Sequence, residues 1–127
     1  MAGKRRPSPS AKCPVCSPKP ALEERPLIDD LQAAALRGLF KILANDTRVR
    51  LLHALARARE LCVTDLAEAI KMKPQAVSNQ LQRLVDQGIL SCRRNGNNVH
   101  YRIADPCVTM LLEHGICLVE DARGRRP

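Results

Sequence analysis

The stretch from Leu61 to Leu90 restricts the fold more than any other part of the chain. Two apolar-periodic segments flank a short polar break, with Leu66 and Ile70 in the first and Val77, Leu81, Leu84 and Val85 in the second. That spacing is helical; a half-buried strand would alternate instead. Pro74 stands where the second helix should begin, a position at which its missing N–H costs nothing. Gly88 follows the last periodic residue and suits a left-handed helix stop. Two short helices across so tight a turn predict a helix-turn-helix.

The flanking segments extend this unit. A helix is expected over Leu27 to Leu43, with Leu31, Ala34, Ala35, Leu39, Ile42 and Leu43 on one side and room for a kink at Gly38. Asn45 and Asp46 break it, and Asp46 is expected to cap a second helix over Thr47 to Ala56. Leu51, Leu52 and Leu55 of that helix should point inward, with Arg48 and Arg50 toward solvent. His53 reads as an ordinary, partly buried histidine, and Arg57 to Glu60 as a polar connection. Beyond the helix pair, Ile89 to Cys92 and the alternating Val99 to Ile103 flank Arg93-Arg94-Asn95-Gly96-Asn97-Asn98. Two such runs around an Asn-Gly turn signal a β-hairpin, and Cys92 belongs to its strand. Asp105 and Pro106 open a last helix, striped by Val108, Leu111, Leu112, Ile116 and Val119. So little domain remains for that stripe to cover that a two-fold partner is its economical target. The expected architecture is mainly α with a β-hairpin wing: a winged helix-turn-helix, homodimeric. Residues 1–26 are expected to form a flexible basic arm, 27–121 the winged domain with dimerising terminal helices, and 122–127 a basic tail.

The core must be aliphatic, because Phe40 and Tyr101 are the chain's only aromatic residues. A net charge of +8 and a pI near 9.6 favour a polyanionic partner, although such a balance also serves solubility. With a helix-turn-helix present, double-stranded DNA is the expected partner. The second helix should expose Gln75, Ser78, Asn79, Gln82 and Arg83. Glutamine and asparagine can bond bidentately to adenine edges in the major groove. Lys71, Lys73 and Arg83 suit phosphate contacts. Arg93, Arg94, Asn95, Asn97 and His100 equip the wing for phosphates or a minor groove. No stretch approaches the roughly 20 apolar residues of a membrane span, and no apolar segment follows the basic start, so a cytoplasmic location is expected. Six cysteines then argue for metal or redox chemistry rather than structural disulfides. Cys13-Pro14-Val15-Cys16 is half of a tetrahedral thiolate site, a redox couple, or two free thiols on a tail. Cys62 and Asp65 lie three apart in a first helical turn, so their side chains can face one point. An acid there also simply favours the helix dipole, and a single cysteine can be buried filler. Cys107, His114, Cys117 and Asp121 lie along the last helix. A small redox enzyme built on the CPVC pair is not expected, because the pair follows no strand and opens no helix.

Together these features resemble the ArsR/SmtB family of bacterial metal-sensing repressors. The stretches that carry the resemblance are Leu43-Ala-Asn-Asp-Thr-Arg-Val-Arg-Leu-Leu52, Glu60-Leu-Cys-Val-Thr-Asp-Leu-Ala67, Ala76-Val-Ser-Asn-Gln-Leu81 and Gly96-Asn-Asn-Val-His-Tyr101. It covers roughly Leu27 to Val119. It implies a homodimer, not an enzyme, that blocks transcription at an operator and lets go when metal binds. It also implies a metal site of Cys62 and Asp65 with Cys13 and Cys16 from the arm, reaching across from the other subunit. Thr64 stands where some arsenic- or lead-type members have a second cysteine. Three thiolates and one carboxylate suit soft or borderline ions: Zn, Cd, Pb or Cu(I). A second family site between terminal helices is matched by Asp105 and Asp121, whereas Cys107 and Leu118 replace its histidines. Leucine cannot ligate, so only an altered site with Cys107, His114 or Cys117 is open there. The other signal that fits the same fold is thiol oxidation, through Cys13 and Cys16 or Cys107 and Cys117.

Overall fold

The computed structural model describes residues 19–125. A 3-10 turn, Leu22–Glu24, precedes five helices and three strands: α1 Asp30–Leu43, α2 Asp46–Ala58, β1 Leu61–Cys62, α3 Val63–Ile70, α4 Pro74–Asp86, β2 Leu90–Asn95, β3 Asn98–Ile103 and α5 Pro106–Arg125. The strands form one antiparallel sheet in the order β1-β3-β2.

Local chemistry sets the helix boundaries. α1 starts at Asp30 rather than Leu27, because Asp29 and Gln32 form a reciprocal capping box. The Asp29 carboxylate accepts the Gln32 N–H at 2.8 Å, and the Gln32 amide oxygen accepts the Asp29 N–H at 3.0 Å. The helix then runs through Gly38 without interruption. The cap of α2 is Asn45, not Asp46: Asn45 Oδ1 accepts the Arg48 N–H at 3.1 Å, leaving Asp46 as an acid in the first turn. Asn45→Ala removes that acceptor and should cost about 0.5–2 kcal/mol. Urea unfolding of the variant against Asp46→Ala checks the assignment, since the first-turn acid should matter less.

The core is a leucine cluster. Leu51, Leu52 and Leu55 of α2 meet Leu66, Ala67 and Ile70 of α3, Val77, Leu81 and Leu84 of α4, and Ile89, Leu90 and Tyr101 from the sheet side. Arg48 is half-buried rather than solvent-facing. Its Nε donates to Gln80 Oε1 at 2.8 Å and its Nη1 to the Ile42 carbonyl at 2.9 Å, tying α1, α2 and α4 together. Arg50 is exposed as expected and also donates to the Ile70 carbonyl. His53 is exposed, not partly buried.

Four backbone turns aim the elements. Arg59 adopts φ 72°, ψ −50°, and Glu60 N–H bonds back to the Ala58 carbonyl at 2.8 Å. This tight turn, strained for a residue with a Cβ, directs the chain from α2 into β1. Lys71 closes α3 in the left-handed region, and Gly88, at φ +78°, closes the turn after α4. In the wing, Asn95 pairs with Asn98, so Gly96-Asn97, not Asn95-Gly96, forms the two-residue loop. Gly96 takes the positive φ of +68° that the first central position of a type II′ turn requires. Arg93, Arg94 and Asn95 consequently lie in β2, not in the turn.

α1 contains no buried residue. Leu31 (82 % exposed), Phe40 (49 %), Val49 (37 %), Ile116 (37 %) and Val119 (61 %) leave a broad apolar face on α1, α2 and α5. Several of them line an open cavity of about 600 Å³ between these helices. α5 continues through Arg125, into the segment expected to be a tail. Among the described residues no helix is long and apolar enough to cross a membrane.

Candidate nucleic-acid interface and metal site

α4 presents its polar face opposite the buried Val77, Leu81 and Leu84. Gln75, Asn79, Gln82 and Arg83 are exposed, and Ser78 is half-buried. Gln75 Nε2 donates to Asn79 Oδ1 at 3.2 Å. That bond does not engage the Gln75 oxygen or the Asn79 amino group, an acceptor and a donor of the kind an adenine edge requires. Gln82 Nε2 donates to Asp86 Oδ1 at 2.9 Å, so the far end of the face carries an acid. The first turns of α4 carry no acid and are flanked by the exposed Lys71 and Lys73.

The wing is divided by its pleat. Arg94, Asn95 and Asn97 are exposed toward the tip. Arg93 is committed elsewhere: Nε donates to Glu60 Oε2 at 2.8 Å and Nη2 to Oε1 at 3.1 Å, a bidentate pair bridging β2 to the entrance of β1. Arg93 is the main cause that holds the Glu60 carboxyl below the usual carboxylate range, and His100 and Arg102 add to it. The same pairing raises the Arg93 guanidinium further. His100 sits at the wing's root, not its tip, and is half-buried directly across β1–β3 from Cys62.

Cys62 does double duty as the last residue of β1 and the N-cap residue of α3, with no side-chain capping bond. It is half-buried, and Asp65 in the first turn of α3 is exposed. Together they offer one thiolate and one carboxylate, half of what a four-coordinate ion requires. Cys13 and Cys16, the expected completion, lie outside the described residues. Among the described residues no three of His, Cys, Asp and Glu are grouped closely enough to hold a metal ion. Cys62 and Asp65 thus fit a soft cation only as part of a site finished by other donors.

On α5, Cys107 and His114 are exposed and Cys117 is half-buried. At about 100° per residue, Cys107, His114, Cys117 and Asp121 fall in one stripe spanning about 80° of the helix. The stripe is about 21 Å long, so its ends cannot converge on one ion within a single chain. For the same reason Cys107 and Cys117, about 15 Å apart along the axis, cannot form an intrachain disulfide. Asp105 lies off the stripe and accepts the Cys107 N–H at 2.9 Å as the helix cap. Cys92 is an exposed strand residue opposite Tyr101. None of the described cysteines is disulfide-bonded.

Two features escaped sequence reasoning. β1 is only two residues long, too short for alternation to reveal, and without it the Cys62–His100 pairing is invisible. The Glu60–Arg93 pair spans residues far apart in sequence, and only opposite charge hinted at it.

A tri-helical core with a helix-turn-helix and a hairpin wing defines a winged helix-turn-helix protein, a class built to read duplex DNA. A family model described as "Bacterial regulatory protein, arsR family" matches residues 45–91. The "Transcriptional repressor SmtB homolog" of Synechocystis sp. is 49 % identical over 74 residues, 58 % of this chain and 55 % of that protein's length. The crystal structure of the AntR antimony-specific transcriptional repressor superposes with a TM-score of 0.74 at 63 % identity, covering 87 % of this chain and 99 % of that one. The homodimeric winged helix-turn-helix DNA-binding domain Mb0332 from Mycobacterium bovis, described as a possible ArsR-family regulator, superposes with a TM-score of 0.67 at 30 % identity, covering 79 % and 94 %. The chain belongs to the ArsR family of DNA-binding transcriptional regulators and is not an enzyme.

Proposed function

We propose that this protein is a homodimeric repressor that occupies operator DNA and is released when it binds a soft or borderline metal ion, of the Zn, Cd or Pb type. The observation that carries this reading is the position of Cys62. It joins the sheet to the first helix of the DNA-reading pair, so an ion gripping its thiolate acts on the orientation of α3 and α4. Cys13 and Cys16 of the arm, with Cys62 and Asp65, form the ligand set. Lys73, Gln75, Ser78, Asn79, Gln82 and Arg83 meet the major groove, and Arg94, Asn95 and Asn97 at the wing tip meet the backbone or minor groove. Arg93 orients the wing through Glu60. The exposed apolar face of α1 and α5 is the self-association surface, in keeping with the homodimeric Mb0332 domain. On this reading the protein works in the cytoplasm, where thiols stay reduced.

Coupling between two ligands typically amounts to about 1–3 kcal/mol, a roughly 5- to 150-fold change in affinity. Operator titration by fluorescence anisotropy should therefore show metal weakening the wild-type complex by about tenfold or more. Cys62→Ser should bind operator normally without metal and hold it in metal's presence. Equal metal response in both proteins removes Cys62 from the site; no response in either removes the metal-sensing function.

A second reading concerns the ion. The likeness to AntR, named as antimony-specific, favours a trivalent, thiolate-seeking metalloid. Such an ion would use the α5 stripe, with Cys107 and Cys117 drawn from different protomers. Cys117→Ser distinguishes this site from the Cys62 site in the same titration. Thiol oxidation is the weaker alternative, because it loses its intrachain α5 pair to geometry.

A further inference from the structure

We infer that His100, on the wing strand, is a direct ligand of the divalent cation held by Cys62, so that one ion bonds the helix-turn-helix to the wing. This inference rests on the reading of Cys62 as a metal ligand and, for a four-coordinate ion, puts His100 in the place of Asp65 among its donors.

Cys62 and His100 are cross-strand partners in the antiparallel β1–β3 pair. Directly opposed residues project from the same face of a sheet, with Cβ atoms about 4.5–5.5 Å apart. A tetrahedral ion bound at about 2.3 Å to sulfur and about 2.0–2.1 Å to imidazole nitrogen fits between side chains at that separation. Both residues are half-buried, which limits competition from bulk water while leaving the thiol reachable. β1 is the edge of the sheet, so no further strand lies on the flank of Cys62 away from His100.

The charges around the pair are compatible with a cation. Arg93 lies directly opposite His100 on β2, on the same face. Its guanidinium is neutralised by the bidentate Glu60 carboxylate, which is thereby also withdrawn from competing as a ligand. Arg102, one pleat further along the same face, is exposed, and water screens it. Asp65 adds negative charge from the first turn of α3. Binding needs only the loss of the Cys62 thiol proton to solvent and a neutral imidazole.

An imidazole donor also sorts the ions. Nitrogen suits Zn²⁺ and, among borderline cations, Cd²⁺, whereas ions that prefer an all-thiolate shell gain nothing from it. His100 should therefore matter for Zn²⁺ and not for trivalent antimony.

The test uses the full-length dimer labelled with ¹⁵N, with Zn²⁺ as the probe. The chain's three histidines give separate imidazole signals, and exposed His53 serves as the internal control. One equivalent of Zn²⁺ per protomer should move one His100 ring nitrogen to a metal-bound position and leave His53 unchanged. In chelator competition, His100→Gln should weaken Zn²⁺ binding by about 10- to 100-fold and leave trivalent antimony binding within about twofold. Two results overturn the proposal, and they are distinct. If the His100 ring does not respond while Cys62→Ser abolishes thiolate-to-metal absorption, the Cys62 site stands and His100 is not part of it. If Cys62→Ser leaves that absorption intact, the Cys62 reading itself fails and His100 falls with it. The ring measurement is made on the wild-type protein, so it does not depend on the variant folding.

Discussion

Replacing Ile116 with glutamate should convert the protein to a monomer and weaken operator binding by about 100-fold or more, the range lost when two tethered reading heads act singly. Ile116 lines the cavity between α1, α2 and α5 together with Phe40, Leu111 and Val119. It belongs to no part of the buried core and is 37 % exposed in the isolated chain. A carboxylate there costs the monomer little because water still reaches it. Covered by a second copy, the same carboxylate would be stripped of water in an apolar surrounding without a partner, which is far more costly. Sedimentation equilibrium reads the association state, and anisotropy with a palindromic operator reads the affinity. Thermal unfolding should remain cooperative, showing that the change acts between chains and not within one. A variant that stays dimeric and binds operator within about threefold of wild type would show that the α1–α5 face has another use.

What the sequence disclosed follows from how far apart the interacting residues are. Elements fixed by local periodicity were legible: the Val77, Leu81 and Leu84 stripe defined α4, Pro74 its start and Gly88 its stop. Caps were legible in kind but not in position. Asn45 and Asp46 are both good capping residues, and only the backbone decides that Asn45 is the extended one. The wing's register turned on one residue, because Asn95-Gly96 and Gly96-Asn97 are both plausible hairpin loops until the strands pair. Contacts between distant segments were not legible. Nothing local announces that Arg48 reaches Gln80, that Arg93 reaches Glu60, or that Cys62 faces His100. The candidate site therefore emerged from sequence as single residues and motifs, and the structure supplied their neighbours. Family resemblance narrowed the function further than periodicity could, since a helix-turn-helix alone does not imply an ion.

The apolar groups divide between two tasks, and that division makes the core vulnerable. With one phenylalanine, one tyrosine and no tryptophan, the chain cannot fill its interior with large rings. Phe40 is half-exposed on the α1 face, and Tyr101 alone reaches the core. The interior is therefore held by interdigitated leucines, and Leu81, at 0 % exposed, packs among the buried residues of α2, α3 and α4. Leu81→Ala should destabilise the fold by about 2–5 kcal/mol, the transfer loss plus the cavity left behind. Against a total of about 5–15 kcal/mol for a domain of this kind, that is a large share. The midpoint of thermal unfolding should fall by on the order of 10 °C. Leu118→Ala, on a residue 63 % exposed and outside the core, should change stability by less than about 0.5 kcal/mol. Urea unfolding at fixed protein concentration compares the two while holding self-association constant. Because Leu81 backs the helix that carries Gln75 and Asn79, its loss should also weaken operator binding at temperatures where the variant remains folded. A Leu81→Ala protein as stable as Leu118→Ala would mean that the leucine cluster closes over the gap, and that α4 is held by its polar tie to Arg48 rather than by packing.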